Sequence, residues 1–152
     1  MKITPRQVNA FMAKPPNNLV AILFHGNDSG LINERAKQLA QLFSNDLDDV
    51  FSVTHLTGDM LSGETGLIAD SAAAIPAFGN RRLVLVKGRG TELLAACKLA
   101  LSNPIDGAII IVEASETTTK HAIVKLFETS NSAASVGCYN DRVGDIRALA
   151  ID

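Results

Sequence analysis

Five short apolar runs rich in β-branched residues recur along the 152-residue chain, and the segments between them have helical periodicity. The runs are Leu19–Phe24, Val50–Leu56, Leu83–Val86, Ala108–Val112 and Ala134–Tyr139. The run AIIIV is apolar at every position, which is typical of a strand that is covered on both faces. Strands that alternate with helices therefore predict an α/β fold in three layers, with a mostly parallel five-stranded sheet and helices on both faces.

Composition limits the class of protein. With 47% hydrophobic residues, the chain can bury the core of one ordinary domain without disulfides or metals. The formal net charge of −2 does not indicate a protein that wraps nucleic acid or lies on a membrane. Cys97 and Cys138 belong to no Cys/His cluster, so no zinc site is predicted. The N-terminal stretch lacks the uninterrupted apolar core of a signal peptide and no later apolar run approaches membrane-spanning length, so a cytoplasmic location is predicted.

Two prolines in KPPNN, residues 14–18, separate a short amphipathic lead from the first strand. Consecutive prolines cannot continue a helix, so residues 1–18 are predicted to form an N-terminal arm that packs on the domain. Residues 19–140 are then the α/β domain. The stretch DRVGDIRALAID, residues 141–152, is predicted to begin a connecting helix, which would make the chain a fragment of something longer.

The stretch FHGNDSGLI, residues 24–32, lies between a strand and a helix, where a phosphate-binding loop would be found. A working loop has the form GxxxxGK[ST], in which backbone N–H groups surround the phosphates, the lysine contacts them and the hydroxyl holds magnesium. Here Gly26 and Gly30 are separated by three residues, and Leu31 follows where lysine is required. The pattern indicates a degenerate phosphate loop that binds no nucleotide.

Acidic residues around this loop do not complete a catalytic site. Asp28 places a carboxylate beside the first helical turn, so Asp28 or Ser29 is predicted to cap the helix. A nucleotide hydrolase would also need an acidic pair at the end of a neighbouring strand. The third run is followed by Lys87 and the fourth by Glu113, so that pair is missing. No catalytic residue, cofactor or metal is predicted.

Two histidines end predicted strands, where ligand-binding residues usually lie in open α/β sheets. They are His25 and His55, and neither has a Cys or Ser nucleophile beside it. Both are interpreted as surface histidines.

A second candidate site lies in AIPAFGNRRLVLV, where a helix should end and the third strand begin. Pro76 ends the helix, and Ala77 and Phe78 occupy the tip at which the backbone leaves the core. Burying a phenylalanine contributes about 1.5–3 kcal/mol, so Phe78 can anchor a partner's hydrophobic pocket. The residues alone favour the alternative that Phe78 folds back under the sheet edge. A basic cluster follows, formed by Arg81, Arg82, Lys87 and Arg89, but it lacks the interleaved aromatic residues that stack on bases.

Taken in order, these segments resemble the N-terminal domain of the delta subunit of bacterial DNA polymerase III, the clamp loader. The family's GxDxxLI is matched at Gly26, Asp28, Leu31 and Ile32, its acidic turn at Thr57-Gly58-Asp59, and its Phe-Gly-x-Arg-Arg segment in IPAFGNRRLVLVKG. An apolar strand, a helix and a strand resembling SVGCY complete the set. The resemblance implies a P-loop NTPase/AAA+-like fold with a degenerate nucleotide site, and a non-catalytic subunit of the polymerase III holoenzyme in DNA replication.

The resemblance also implies a binding site and partners. The implied clamp-binding residues are Ile75, Pro76, Ala77, Phe78, Arg81 and Arg82. Phe78 would insert into the hydrophobic pocket of the sliding clamp, the beta subunit, and help to open its ring. In the full-length protein the other partners would be the loader subunits delta prime and gamma/tau, with DNA contact indirect or weak and no membrane contact.

Two departures from the family pattern bear on these expectations. The best-known members carry a larger apolar residue before the phenylalanine, and Ala77 in its place weakens the contact by about 1 kcal/mol of lost burial. The family also continues into a helical lid and a collar that assembles with the other subunits. Neither is expected within these 152 residues, so the chain alone is expected to touch the clamp but not to join the pentamer.

Two other classes of function stay open at the level of sequence. One is an atypical P-loop nucleotide-binding ATPase or kinase that uses the loop from Gly26 to Gly30. The other is a flavodoxin-like or receiver-like small-ligand domain, for which the chain offers only the isolated carboxylates of Asp28, Asp59 and Glu113.

Overall fold

The computed structural model describes residues 1–44, 46–49, 52–73, 82–104 and 107–139. The strands are β1 (Lys2–Ile3), β2 (Ala21–Gly26), β3 (Val53–Thr57), β4 (Arg82–Arg89), β5 (Ala108–Ser115) and β6 (Ala133–Gly137). The helices are α1 (Val8–Ala13), α2 (Ser29–Ala40), α3 (Gly58–Leu61), α4 (Leu67–Ala73), α5 (Gly90–Ser102) and α6 (Ala122–Thr129). Among these residues no helix combines the length and apolar character needed to cross a bilayer.

The strands form a single sheet in the order β1-β6-β2-β5-β4-β3, and every described pair is parallel. Strand–helix alternation produces this arrangement because parallel neighbours need a crossover, usually a helix, between them. The predicted three-layer α/β class is confirmed, and the described residues form six strands in place of the expected five.

The additional strand comes from the N-terminal arm. Lys2 and Ile3 of β1 pair in parallel with Ser135 and Val136 of β6, and the Ser135 amide donates to the Met1 carbonyl oxygen at 2.8 Å. Ile3 is buried, so the arm adds apolar surface to the core as well as a sheet edge. A two-residue strand is too short to show the alternation by which strands are found in a sequence.

Two apolar clusters cover the two faces of the sheet. One packs the sheet against α3, α4, α5 and α6, and the other packs it against α1 and α2. Strand β5 serves both: Ile110 and Val112 point into the first cluster, and Ile109 and Ile111 into the second. This explains why the AIIIV run has no polar position, since side chains alternate between faces and both faces are covered.

Candidate functional site

The loop between β2 and α2 lies at the carboxyl edge of the sheet, near its centre. Strand β2 is flanked by β6 and β5, and its last residue, Gly26, pairs with Ser115 of β5. Ligands of open α/β sheets bind at this edge, where loops from several strands meet. The loop therefore has the position of a phosphate-binding loop, and its chemistry depends on which groups already occupy its N–H donors.

Asp28 is the N-cap of α2, as predicted. Its backbone is extended, with φ −103° and ψ 90°, and its Oδ1 accepts a hydrogen bond from the Leu31 amide at 3.1 Å. Ser29, the alternative cap, is the first residue of the helix instead. The cap satisfies one of the free N–H groups that would otherwise face an anion, and it places a carboxylate there.

Replacing Asp28 with alanine is expected to lower the free energy of unfolding by about 1 kcal/mol, because the Leu31 amide loses its acceptor. Asp28→Asn should retain most of the stability, since an amide oxygen caps about as well as a carboxylate. Urea unfolding of the two variants and the wild type measures the difference. Equal losses in both variants would show that charge, rather than the hydrogen bond, carries the effect.

A second donor of the loop is also taken by the protein. The Asp28 amide donates to the carbonyl oxygen of Cys138 at 3.2 Å, and the Cys138 amide donates to the carbonyl oxygen of His25 at 2.6 Å. Gly26 makes this approach possible: its φ is +145°, and a Cβ there would overlap the Cys138 carbonyl. The backbone that follows β6 thus lies against the loop.

Arg35 completes this closure from α2. Its guanidinium donates to the carbonyl oxygen of Gly137 at 3.1 Å and contacts the Sγ of Cys138 at 3.5 Å. The Arg35 guanidinium is therefore directed at the end of β6. Burial raises the pKa of the Cys138 thiol, while Arg35 acts in the opposite direction, and the side chain is fully buried. Cys138 is a packed thiol in this structure.

His25 is buried, so its interpretation as a surface histidine is wrong. Only 3% of the residue is exposed, and its Nδ1 lies 2.7 Å from the hydroxyl of Tyr139, whose ring packs edge-on at 5.4 Å. Burial lowers the pKa of His25 to about 4, with a smaller effect from the Lys2 charge. His55 is exposed, as expected, and its Nε2 lies 2.8 Å from the Leu47 carbonyl oxygen.

Glu113, interpreted as an isolated carboxylate at a strand end, has Lys87 of the basic cluster as its partner across the sheet. They stand opposite each other in the β4–β5 register, and Nζ lies 3.7 Å from Oε2. The Nδ2 of Asn33 also donates to Glu113 Oε1 at 3.4 Å. Burial raises the pKa of Glu113, while Lys87 and Asn33 partly offset this rise. The position that an acidic pair would occupy in a hydrolase therefore holds a carboxylate and its own counter-ion.

Most of the residues inferred to bind the clamp lie outside the described part of the chain. These are Ile75, Pro76, Ala77, Phe78 and Arg81. The predicted connecting helix, residues 141–152, also lies outside it. Arg82 is the first residue of β4. Its amide donates to the Gly107 carbonyl oxygen at 2.8 Å, and its guanidinium donates to Thr54 Oγ1 at 2.6 Å. Its side chain is thus attached to the edge strand β3.

The basic cluster after Arg81 is partly neutralised by the protein itself. Arg89 forms an exposed ion pair with Glu116 at 3.6 Å, and Lys87 lies beside Glu113. Such pairs contribute little stability at the surface, but they reduce the positive field that a phosphate backbone would meet.

Sequence reasoning missed the residues that close the loop. They are Arg35, Thr117, Cys138 and Tyr139, contributed by α2, the segment after β5 and the segment after β6. Tyr139 was the only available signal, because a single tyrosine at the end of an apolar run indicates a hydroxyl that needs a partner.

No model of a known protein family matches this chain, and no curated protein sequence matches it either. Solved structures do. The DNA clamp loader delta protein of Bacillus subtilis aligns over 96% of the chain with a TM-score of 0.70 at 13% identity. The chain has a clamp-loader delta-like fold. A DNA polymerase III gamma subunit-related protein of Thermotoga maritima aligns over 94% with a TM-score of 0.60 at 16% identity. The chain spans 45% and 48% of the lengths of these two structures.

Proposed function

We propose that this chain is a non-catalytic clamp-loader delta-like domain that binds the sliding clamp of DNA polymerase III and helps to open its ring. The observation that carries the proposal is the fold, which aligns with a clamp loader delta protein over 96% of the chain. The Phe-Gly-x-Arg-Arg segment supports it from the sequence, with Phe78 as the anchor and Ile75, Pro76, Ala77, Arg81 and Arg82 around it.

Arg82, the one proposed clamp-binding residue that the structure describes, lies at the edge of the sheet opposite the degenerate loop. The proposed clamp-binding segment precedes β4, whose first residue, Arg82, pairs with Ala108 at the amino end of β5. The degenerate loop lies at the carboxyl edge, where Gly26 pairs with Ser115. A strand of this length separates the two edges by about 25 Å. The proposed binding does not require a nucleotide at the loop.

The chemistry of the loop supports a non-catalytic role. Its Asp28 and Leu31 amides are hydrogen-bonded within the protein, and Leu31 takes the place of the phosphate-binding lysine. The same proposal assigns the other loader subunits, delta prime and gamma/tau, as partners of the longer protein. DNA contact is indirect or weak in this scheme, since Lys87 and Arg89 each have an acidic neighbour.

Replacing Phe78 with alanine should weaken binding to the clamp by about tenfold to a hundredfold, because an apolar anchor of this size contributes about 1.5–3 kcal/mol. Titration of the purified clamp with wild-type and variant chains, followed by calorimetry, measures the change. Urea unfolding of the same samples shows whether the fold is intact.

Leu42→Ala is the matched control, since it removes another large apolar side chain that is 52% exposed and lies just after α2. Its clamp affinity should equal that of the wild type. If Phe78→Ala binds as tightly as the wild type, the contact is wrongly placed. If the wild-type chain itself does not bind the clamp, the proposed function is wrong.

A further inference from the structure

The chain leaving β6 is joined to two other loops at the carboxyl edge of the sheet by one cluster of hydrogen bonds. We call this the Tyr139 cluster; its members are His25, Gly26, Thr117, Cys138 and Tyr139. The Tyr139 hydroxyl donates to the Thr117 carbonyl oxygen at 2.8 Å and lies 2.7 Å from His25 Nδ1. The Thr117 amide donates to the Gly26 carbonyl oxygen at 3.3 Å. The loops after β2 and β5 are thereby linked to the end of β6.

The directions of these hydrogen bonds fix the proton on the imidazole. The Tyr139 hydroxyl has one proton, and the Thr117 carbonyl can only accept, so this proton points to Thr117. The hydroxyl oxygen must then accept from His25, whose Nδ1 therefore carries a hydrogen. The neutral form of His25 in this cluster is the Nδ1–H tautomer.

The backbone reinforces the same connection. Cys138 donates to the His25 carbonyl oxygen and accepts from the Asp28 amide, and the Gly26 conformation admits its carbonyl. Thr117 is only 3% exposed, and its Oγ1 donates to the Ser115 carbonyl oxygen at 2.9 Å. Every link is made by groups of the protein, at the edge of the sheet where open α/β folds bind phosphate groups.

We infer that the Tyr139 cluster is a permanent joint that holds residues 137–139 against the degenerate loop without a ligand, with Tyr139 as its positioning residue. Residues 137–139 then keep the same position whether or not nucleotide is present. The inference concerns the carboxyl edge of the sheet and uses none of the proposed clamp-binding residues, so it does not depend on clamp binding.

The test is nitrogen-15 NMR of the imidazole together with residue-resolved amide exchange on the 152-residue chain. In the wild type, His25 should be the Nδ1–H tautomer, and adding ATP with Mg²⁺ should leave the exchange of the Thr117 and Cys138 amides unchanged. Tyr139→Phe keeps the ring but removes the hydroxyl. In this variant His25 should no longer favour the Nδ1–H tautomer. Exchange of the Thr117 and Cys138 amides should become faster by on the order of tenfold.

Ser102→Ala is the matched control, because it also removes a hydroxyl that donates to a carbonyl oxygen, that of Leu99 at the end of α5. It should leave both the tautomer and the two amides unchanged. The inference is overturned if wild-type His25 is the Nε2–H tautomer, if ATP with Mg²⁺ changes protection at Thr117 or Cys138, or if Tyr139→Phe exchanges at the wild-type rate. The first two measurements need no variant to fold.

Discussion

Gly26→Ala is expected to destabilise the protein by about 3 kcal/mol or more, because the substitution causes both backbone strain and a steric overlap. The φ of Gly26 is +145°, in a region that residues other than glycine rarely adopt. The added Cβ would also overlap the carbonyl of Cys138. Cys138 cannot move aside freely, since its amide donates to the His25 carbonyl oxygen at 2.6 Å. Urea unfolding should show a much lower midpoint.

Gly30→Ala is the control, since Gly30 belongs to the same loop-like motif but lies in the first turn of α2. The nearest atom to its Cβ would be Asp28 Oδ1 at 3.6 Å, an ordinary contact. Alanine is the better helix former, so this variant should be more stable than the wild type by up to about 1 kcal/mol. The two glycines are equivalent in the phosphate-loop motif but opposite in this test. Equal behaviour of the variants would contradict the assigned backbone conformation.

Features that depend on residues close together in the sequence were predictable, and features that depend on distant residues were not. The apolar runs and the helices between them were predictable because the period of side-chain burial is contained within a few residues. The cap at Asp28 was predictable for the same reason, since its acceptor and donor are three residues apart. These local features were sufficient to predict the parallel three-layer sheet.

Contacts between distant residues were not predictable in this way. The burial of His25 depends on Tyr139, which is 114 positions away, and no pattern around either residue indicates the other. Strand β1 exists because it can pair with β6 at the far end of the described chain. Lys87 and Glu113 form a pair because the β4–β5 register places them opposite each other. Each case required the order and register of the strands.

Acidification from pH 7 to 5 should destabilise the protein by about 2 kcal/mol through His25 alone, and by about 3 kcal/mol once the pH falls below 4. Burial lowers the pKa of the imidazole from 6.5 in the unfolded chain to about 4 in the native one. The unfolded chain therefore takes up a proton first as the pH falls. This destabilisation by His25 is therefore nearly absent above pH 6.5 and grows progressively as the pH falls toward 4.

His25→Gln isolates this effect, because the variant keeps the carboxylates that also titrate at low pH and loses only the imidazole. The raised pKa of Glu113 works in the opposite direction, since protonation of a buried carboxyl favours the folded chain as the pH falls. It contributes equally to both proteins and cancels in their difference.

The free energy of unfolding of the wild type, from urea titrations at pH 7, 6 and 5, should therefore fall more steeply than that of His25→Gln. Parallel pH profiles for the wild type and His25→Gln would mean that water reaches His25, and that the Tyr139 ring does not keep it out of solvent.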